Sequence, residues 1–355
     1  MKLAIITDTH FGARNDNLNF NDYFFKFYDN VFFPTLKERG ITTCVHMGDV
    51  VDRRKYISYR IANDFRERFI NRFKEMGIDL HIIIGNHDTY YKNTNEVNSP
   101  ALLLYGQPNI TVYEEPIVKD YDGLDIALVP WINNENYADN IEFFQSAPAP
   151  ICMGHFEIEG AMMNPAMVCS HGLSASYLKR FEKVYSGHFH HKTDIENIRY
   201  VGSQMQFTWS DFGDEKYFHI FDTDTREMLP VHNPLTMFEK AFYNDTEKTF
   251  ETIANDDYEK YRGKFVKVIV IEKENPYWFD TFLDKLHGVN PLHVSVVDDN
   301  KHMDFFDDEE IENIEDTLTI LSKYVEGLEI QGKKKELDKI MKSLYHEALE
   351  EHNFL

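Results

Sequence analysis

The sequence has few cysteines and no long apolar run, and both absences exclude classes of protein. Its 355 residues include only Cys44, Cys152 and Cys169, too few and too scattered for a disulfide framework or a zinc ribbon. The longest apolar runs, such as residues 82–84 and 268–271, fall far short of the roughly 20 residues that a spanning helix needs. We therefore expect core thiols, a reducing cytoplasmic compartment and no membrane segment.

Positive charge is also scarce. The chain has 37 basic residues against 60 acidic ones, which gives a net charge of −23 and disfavours a simple polycation that clings to nucleic acid. If the substrate is a polyanion, local groups at its binding site must overcome the repulsion from this negative charge. At about 150 residues per domain, the length predicts two to three domains.

Up to about residue 225, short β-branched segments alternate with longer amphipathic ones. Strands are predicted at residues 3–6, 42–47, 80–84, 126–130, 151–154, 183–186 and 199–201. Helices are predicted at residues 21–39 and 58–76, each ending at a glycine. This alternation is typical of an α/β fold with a largely parallel, helix-covered sheet. In such sheets the chemistry lies at the carboxyl ends of the strands.

A second unit follows, with a strand at 264–271, a helix at 276–287 and a strand at 292–297, and it resembles a small cap. Residues 298–316 then include ten acidic residues, a composition that indicates a solvated linker. Beyond them, apolar residues recur at helical spacing, in two helices that cannot bury their apolar stripes alone. The predicted divisions are a catalytic domain at 1–240, a capping domain at 241–300, an acidic linker at 301–316 and a helical segment at 317–355.

Five short motifs end a predicted strand or follow one directly. They are Asp8-Thr9-His10, Gly48-Asp49-Val50-Val51-Asp52, Gly85-Asn86-His87-Asp88, Gly154-His155 and Gly187-His188-Phe189-His190. Carboxylate, imidazole and amide oxygen together suit Mn²⁺, Fe²⁺ or Zn²⁺, and there are more of them than one ion can hold. Two ions bridged by a carboxylate form a clamp for in-line attack on phosphorus. A single such histidine is more often structural, but five motifs in one order favour a metal site.

These motifs, in this order, resemble those of the calcineurin-like metallophosphoesterases. The cap and the C-terminal helices are similar to those of the SbcD nucleases and their meiotic-recombination counterparts. The segment Tyr91-Lys92-Asn93 and the Ser186 that precedes the last motif resemble the recombination nuclease subunits of T-even-like bacteriophages. The motif match covers residues 1 to about 210. The resemblance implies a sandwich of mixed sheets flanked by helices, with a small α/β cap and C-terminal helices.

The resemblance also implies roles for individual residues. One set would hold two divalent ions, Mn²⁺ first and Mg²⁺ as the alternative: Asp8, His10, Asp49 and His190 for the first ion, and Asp49, Asn86, His155 and His188 for the second. His87 would act on the phosphate or the leaving oxygen, with Asp52 as its partner. Many SbcD-type relatives have histidine where this chain has Asp52, so a loop carboxylate that caps a helix is the alternative for that residue.

Contacts with DNA are predicted in two places. Arg53, Arg54 and Lys55 follow the loop of Asp49 and begin a basic stretch that could guide a phosphate backbone. The alternative is a solvated helix face whose arginines pair with nearby carboxylates. Tyr91 and Lys92 could stack on bases or contact backbone, unless they belong to a packed loop.

Two predicted helical regions have more apolar surface than the chain itself is expected to cover, and protein partners are predicted from them. In the resembling family, a C-terminal helical segment docks on the coiled coil of an SMC-like, SbcC-like ATPase; the alternative is that it folds back on its own domain. The helix at 21–39 has more aromatic residues than one sheet face requires. Because the resembling family builds its dimer interface from helices in this region, the resemblance implies a homodimer. DNA, double- or single-stranded, is the expected substrate.

Three functions remain open from the sequence. The first is a metal-dependent DNA exonuclease or endonuclease, a subunit of an SMC-like ATPase complex in recombination, repair and replication, located in the bacterial cytoplasm if it is phage-encoded. The second is a small-substrate metallophosphoesterase, either a phosphatase or a cyclic nucleotide phosphodiesterase. The third is a scaffold that has lost its metals, which the filled ligand positions disfavour.

Overall fold

The computed structural model describes residues 1–164 and 167–298, together with residues 337 and 341. Most strands lie in two six-stranded sheets. In spatial order the first sheet contains β14 (Glu227–Asn233), β13 (Lys216–Asp222), β1 (Lys2–Ile6), β2 (Thr43–His46), β3 (Asp79–Ile83) and β4 (Ile110–Tyr113). The second contains β11 (Thr193–Ile195), β12 (Ile198–Tyr200), β10 (Lys183–Gly187), β7 (Ile151–His155), β6 (Leu124–Val129) and β5 (Ile117–Tyr121). A small hairpin pairs β8 (Met162–Asn164) with β9 (Met167–Val168).

Both sheets have four neighbouring parallel strands, with antiparallel strands added on one side of the first sheet and at both edges of the second. The first has β1 to β4 parallel, with β13 and β14 added antiparallel. The second has β12, β10, β7 and β6 parallel, with β11 and β5 antiparallel at its two edges. The mixed α/β sandwich that the resemblance implied is therefore confirmed.

The two sheets share an apolar core. Leu3, Ile5 and Val45 from the first sheet belong to one buried cluster with Leu128 and Met153 from the second. These side chains are fully buried, and each contributes about 1.5–3 kcal/mol relative to exposure. The parallel strands of the two sheets are thereby held against each other.

Two long helical regions connect β1 to β2 and β2 to β3. One contains the helices Leu18–Phe27 and Phe33–Glu38 with the π-helical turn Tyr28–Phe32 between them, and the other contains Tyr59–Asp64 and Asn71–Met76 with the π-helical turn Phe65–Ile70. The second region begins with Ser58, whose hydroxyl accepts from the Ile61 amide at 3.3 Å, and ends at Gly77 with φ +66°. Serine caps and left-handed glycines are the ordinary start and stop signals of helices.

The aromatic residues of the first helical region are buried within one chain. Phe24, Phe25, Phe27, Tyr28, Phe32 and Phe33 are each at most 1% exposed. Tyr28 lies 4.7 Å from Phe69, and Phe33 lies 5.3 Å from Phe73, between ring centroids. The second helical region therefore covers the aromatic surplus, and that surplus no longer favours a homodimer.

Shorter helices span Tyr137–Ser146, Ser99–Leu103 and Phe250–Ala254, and 3₁₀ turns span Ala175–Leu178, Trp209–Asp211 and Glu259–Tyr261. The segment Ala13–Asp16 is a left-handed turn, with φ between +55° and +59° at its last three residues. Within the described part of the chain, no helix is long and apolar enough to cross a membrane.

The cap is a three-stranded parallel sheet. It contains β15 (Phe238–Asn244), β16 (Phe265–Glu272) and β17 (His293–Asp298), with the helix Pro276–Gly288 between the last two. The predicted strand, helix and strand are present, but β15 was not predicted. The predicted boundary between residues 240 and 241 falls inside β15, and β15 belongs with the cap because it pairs with β16. The predicted linker at 301–316 and the helical segment at 317–355 lie outside the described residues, apart from residues 337 and 341.

Candidate metal centre

The predicted site residues lie at the carboxyl ends of five strands. Asp8 and His10 follow β1, Asp49 follows β2, Asn86 and His87 follow β3, His155 ends β7, and His188 and His190 follow β10. β1, β2 and β3 are neighbours in the first sheet, and β7 and β10 are neighbours in the second. Because the carboxyl ends of parallel strands share an edge, these side chains meet between the two sheets.

One group of ligand atoms comes from the ends of β1 and β10. Asp8, His10 and His190 each offer an atom, and these atoms lie within 4.8 Å of one another. His10 Nε2 lies 3.2 Å from His190 Nε2 and 3.9 Å from Asp8 Oδ1. His10 and Asp8 are buried. One carboxylate and two imidazoles therefore face a common point.

A second group comes from the ends of β2, β3, β7 and β10. Asp49 Oδ2 lies 3.2 Å from His155 Nε2, and Asn86 Oδ1 lies 3.0 Å from both His155 Nε2 and His188 Nδ1. The same Asp49 oxygen lies 3.8 Å from His10 Nε2. Asp49 is thus the carboxylate between the two groups.

Backbone carbonyls fix which imidazole nitrogens face the centre. His155 Nδ1 donates to the Met47 carbonyl at 2.8 Å, which leaves Nε2 directed at Asp49 and Asn86. His87 Nδ1 bonds the Asp52 carbonyl, while the Asp52 carboxylate lies 3.5 Å from His10 Nδ1. Such outer partners set the tautomer and orientation of ligating histidines.

The loops that present these side chains are strained. Asp8, His10, Asp49 and His188 have φ of +48°, +40°, +55° and +86°, a region that costs non-glycine residues about 1–3 kcal/mol each. A Cβ on Gly48 would lie 2.6 Å from His155 Nδ1, and one on Gly85 would collide with the Asp49 carboxylate. The surrounding packing holds the strain, and the strained residues are the predicted ligands.

The protein's own groups shift three pKa values at this centre. Burial opposes ionisation of Asp49, but His155 and His87 more than offset it and hold the pKa of Asp49 well below its usual range. Burial likewise opposes the charged form of His155, yet Asp49 raises the pKa of His155 to about 9. Burial raises the pKa of Asp88 to about 7, and the negative charge of Asp49 adds to that rise.

Asp88 is a structural member of the centre whose role the motif did not reveal. Its Oδ1 accepts from the amides of Val50 and Val51 at 2.8 and 3.3 Å, and its Oδ2 accepts from the Gly85 amide at 2.9 Å. The side chain is fully buried. Asp88 therefore joins the loop of Asp49 to the loop of Asn86.

Replacing Asp88 by alanine is expected to lower the free energy of unfolding by about 2–3 kcal/mol, because buried backbone donors lose their acceptor. Urea denaturation measures the loss. The matched control is Asp120→Ala, at an exposed position of β5, which should stay within about 0.5 kcal/mol of the wild type. Equal stability of the two variants would contradict the joining role.

Two aromatic side chains flank the centre and were not predicted. Phe207 lies 5.1 Å from His10 and 4.9 Å from His190 between ring centroids. Trp131 lies 5.3 Å from His188 on the other side. Trp131 comes shortly after β6, so the rule that chemistry lies at the carboxyl ends of strands could have identified it.

The predicted DNA-contacting residues have mixed surroundings. Arg53 pairs with Asp16 and lies over the Tyr56 ring, 4.2 Å from its centroid. Lys55, Tyr91 and Lys92 are exposed, whereas Arg54 is half-buried. The Tyr91 side chain is 51% exposed and packs edge-on against Tyr90.

The arginines of the following helical region are paired with carboxylates. Arg60 lies 3.0 Å from Asp64, Arg66 lies 3.0 Å from Glu67, and Arg72 lies 3.1 Å from Asp29. This is the paired helix face that the sequence left as the alternative.

The donor set fits two divalent ions. Oxygen and imidazole donors form two adjoining groups, and a third group of His10, Asp49 and His87 joins them through the Asp49 carboxylate, as a bridged pair of borderline metals requires. The residues that can hold the first ion are Asp8, His10, Asp49 and His190, and those that can hold the second are Asp49, Asn86, His155 and His188.

Comparison with known proteins gives the family. The family model described as calcineurin-like phosphoesterase matches residues 1–271. The chain is 34% identical over 294 residues to exonuclease subunit 1 of Enterobacteria phage T4, which covers 82% of this chain and 83% of the phage protein. It is 24% identical over 239 residues to the SbcD component of the nuclease SbcCD of Escherichia coli K12, which covers 56% of this chain and 59% of that protein.

Among solved structures, an archaeal phosphodiesterase aligns with a TM-score of 0.34 and 11% identity, over 66% of this chain and 100% of that one.

The family model spans both sheets, all five motifs and the first two strands of the cap. The chain therefore belongs to the calcineurin-like phosphoesterase family.

Proposed function

We propose that this protein is a metal-dependent DNA nuclease that hydrolyses phosphodiester bonds, acting as a subunit of an SMC-like ATPase complex in DNA recombination, repair and replication. The observation that carries the proposal is the pair of ligand groups that share Asp49, with His87 beside them. The names of two relatives, one an exonuclease component and the other a nuclease component, support a nucleic acid as the substrate, and DNA is the one proposed here.

The proposed cofactors are two divalent ions, with Mn²⁺ favoured over Mg²⁺. Imidazole nitrogens make up half of the donors proposed for each ion, and Mg²⁺ prefers oxygen ligands. When bound, such an ion pair supplies a hydroxide at neutral pH and neutralises charge on the phosphate. Hydrogen bonds from the Thr7 hydroxyl to Asp8 Oδ2 at 2.7 Å and from the His87 amide to Asp49 Oδ1 at 2.8 Å hold the two carboxylates in place.

His87 is the proposed general acid. Its Nδ1 bonds the Asp52 carbonyl, which points Nε2 away from that carbonyl, and its ring stands edge-on to His10 at 4.8 Å between centroids. A protonated His87 can then donate from Nε2 to the leaving oxygen. Asp52 is its proposed partner, acting through the carbonyl, while its carboxylate lies beside His10 Nδ1.

DNA contacts are proposed at Arg53, Arg54, Lys55, Tyr91 and Lys92. Tyr91 is the strongest member, because half of its side chain is exposed and an exposed ring can stack on a base. The arginine pairing described above weakens the case for the helix that follows Lys55. The net charge of −23 agrees with weak binding by this chain alone, with most of the affinity supplied by a partner.

Replacing Tyr91 by alanine is expected to weaken the binding of single-stranded DNA by roughly 5- to 100-fold, the loss of one stacked base. Fluorescence anisotropy with a labelled oligonucleotide measures the change. The control is Tyr105→Ala, because Tyr105 is 91% exposed but lies outside the Gly-Asn-His-Asp loop. Equal affinity of both variants would remove Tyr91 from the interface.

The proposed protein partner is an SbcC-like ATPase bound through the helical segment at 317–355. Its support is the amphipathic pattern of that segment, which needs an apolar surface. Truncation after residue 298 is expected to abolish co-purification with the ATPase, while the remaining chain still hydrolyses a small phosphodiester in Mn²⁺. Unchanged co-purification would contradict the proposal.

A homodimer is proposed on the family resemblance alone, and light scattering of the purified chain tests it.

One assay separates the nuclease from a small-substrate phosphoesterase. The full chain, with and without its ATPase, is incubated with end-labelled double- and single-stranded DNA in Mn²⁺, and with a small phosphodiester and a phosphomonoester in parallel. Cleavage of both DNA and the small diester is expected. Hydrolysis of the small esters without any DNA cleavage would replace the nuclease by a small-substrate enzyme.

A further inference from the structure

Another cluster of metal-ligating side chains lies outside the candidate metal centre, and it contains a cysteine. Glu157, Cys169 and His171 offer ligand atoms within 4.8 Å of one another. Glu157 Oε1 lies 3.4 Å from His171 Nδ1, and Cys169 Sγ lies 3.8 Å from the same nitrogen. Neighbouring ligands of a tetrahedral zinc ion lie roughly 3.3–3.7 Å apart, given its bond lengths. The cluster therefore has close to the required spacing before any ion binds.

Backbone hydrogen bonds hold the ligands in this arrangement. The Cys169 amide donates to the Ala161 carbonyl and the Gly160 amide donates to the Cys169 carbonyl, both at 2.8 Å. Past the turn, the Leu173 amide donates to the Glu157 carbonyl at 2.7 Å. The segment that bears Cys169 and His171 is thus fixed at both ends to the segment that bears Glu157.

The cluster has an inner and an outer side. Cys169 is 1% exposed, Glu157 is half-buried, and the His171 side chain is 69% exposed. An ion can approach from the His171 side and reach the sulfur inside. The Cys169 thiol donates to the His171 carbonyl at 3.1 Å. This contact accounts for the conformation of the turn between the two residues. It does not account for the position of the Glu157 carboxylate beside the His171 imidazole.

We propose that Glu157, Cys169 and His171 bind a thiophilic divalent ion, Zn²⁺, at a site separate from the candidate metal centre. The sulfur selects for zinc against Mn²⁺ and Mg²⁺, which prefer oxygen ligands. On binding, the Cys169 thiol releases its proton to water and the sulfur–zinc bond forms. His171 binds as the neutral imidazole through Nδ1, Glu157 binds through Oε1, and water takes the fourth position.

The zinc site adjoins the candidate metal centre through one side chain. Glu157 Oε1 lies 3.9 Å from His188 Nε2, and His188 Nδ1 faces Asn86. The same carboxylate thus stands between the proposed zinc ligands and a proposed ligand of the centre.

Cobalt spectroscopy distinguishes the two places, because a thiolate bound to Co²⁺ absorbs strongly in the near ultraviolet and nitrogen and oxygen donors do not. The full-length protein is first saturated with Mn²⁺ and then titrated with Co²⁺. A charge-transfer band that saturates at one ion per chain is expected, and Zn²⁺ should remove it. Absence of the band in the wild type would overturn the proposal.

Two variants and a control locate the sulfur. Cys169→Ser is expected to lose the band, whereas Cys152→Ser, at a buried thiol in β7, should keep it. His171→Ala changes an exposed side chain and leaves the fold intact, and it should weaken Zn²⁺ binding by at least about tenfold, the lower end of what loss of even an outer partner costs. A band that survives in Cys169→Ser, or unchanged Zn²⁺ affinity in His171→Ala, would overturn the assignment.

Discussion

Replacing Asp49 by alanine is expected to reduce the proposed DNA cleavage by at least about 10³-fold, a loss of roughly 4 kcal/mol of transition-state stabilisation. The reason is its position between the two ligand groups. One oxygen, Oδ2, lies 3.2 Å from His155 Nε2 and 3.8 Å from His10 Nε2. Loss of this carboxylate removes a donor from both proposed ions at once, and it leaves the buried His155 imidazole without the carboxylate that lies 3.2 Å from it.

Metal content is the second readout of the Asp49 variant. Wild type dialysed against Mn²⁺ and then desalted should retain two ions per chain, and Asp49→Ala should retain fewer. Asp49 Oδ1 also accepts from the His87 amide at 2.8 Å, so Asp49→Asn, which keeps an acceptor of the same size, separates the loss of charge from the loss of that hydrogen bond. The matched control is Asp120→Ala. Wild-type metal content in both Asp49 variants would exclude the bridging role.

The position of the centre could be predicted from the sequence because two local signals coincide. Each motif follows a β-branched run, and parallel strands carry their functional residues at the same end. Asp8, Asn86 and His155 therefore meet although they are far apart in the sequence. The resemblance added the division into two groups, which chemistry alone left open.

The backbone of the centre could not be predicted from these residues. Asp8, His10 and Asp49 adopt positive φ. Aspartate and histidine are enriched at positive φ, but most of them still have negative φ, so the residue type does not mark the position. Only packing explains the strain, because Gly48 and Gly85 allow the loops of β2 and β3 to approach so closely that no other residue fits. Departures from local preference are expected where function requires a fixed geometry.

Two further features could not be predicted from the sequence: the division of the strands between two sheets, and the packing of the second helical region over the aromatic residues of the first. Periodicity along the chain tells which face of a strand is apolar, but it does not tell which strand lies beside it. For the same reason, the aromatic surplus of the first helical region is no support for a dimer, which stays a prediction. The second helical region covers the rings of Phe25 and Tyr28, because Arg68 lies over Phe25 and Phe69 packs against Tyr28.

Replacing His87 by alanine is expected to reduce kcat on DNA by roughly 10²- to 10⁴-fold, the range of a lost general acid, while the bound Mn²⁺ stays at the wild-type level. The family resemblance gives His87 the role of acid and not of ligand, and its Nδ1 bonds the Asp52 carbonyl, so that Nε2 is left for the leaving oxygen. A proton donor matters only if the leaving oxygen is a poor leaving group. DNA cleavage expels a basic sugar alkoxide, so it should suffer the full loss.

A diester with a nitrophenolate leaving group provides the decisive comparison. Nitrophenolate leaves without protonation, so His87→Ala should lose much less activity on it than on DNA, and the ratio of the two losses measures the acid role. His232→Ala is the matched control, because His232 is an exposed histidine of β14. Equal losses on both substrates would mean that His87 binds the phosphate in the transition state instead of protonating the leaving oxygen. Loss of Mn²⁺ from the variant would make His87 a metal ligand.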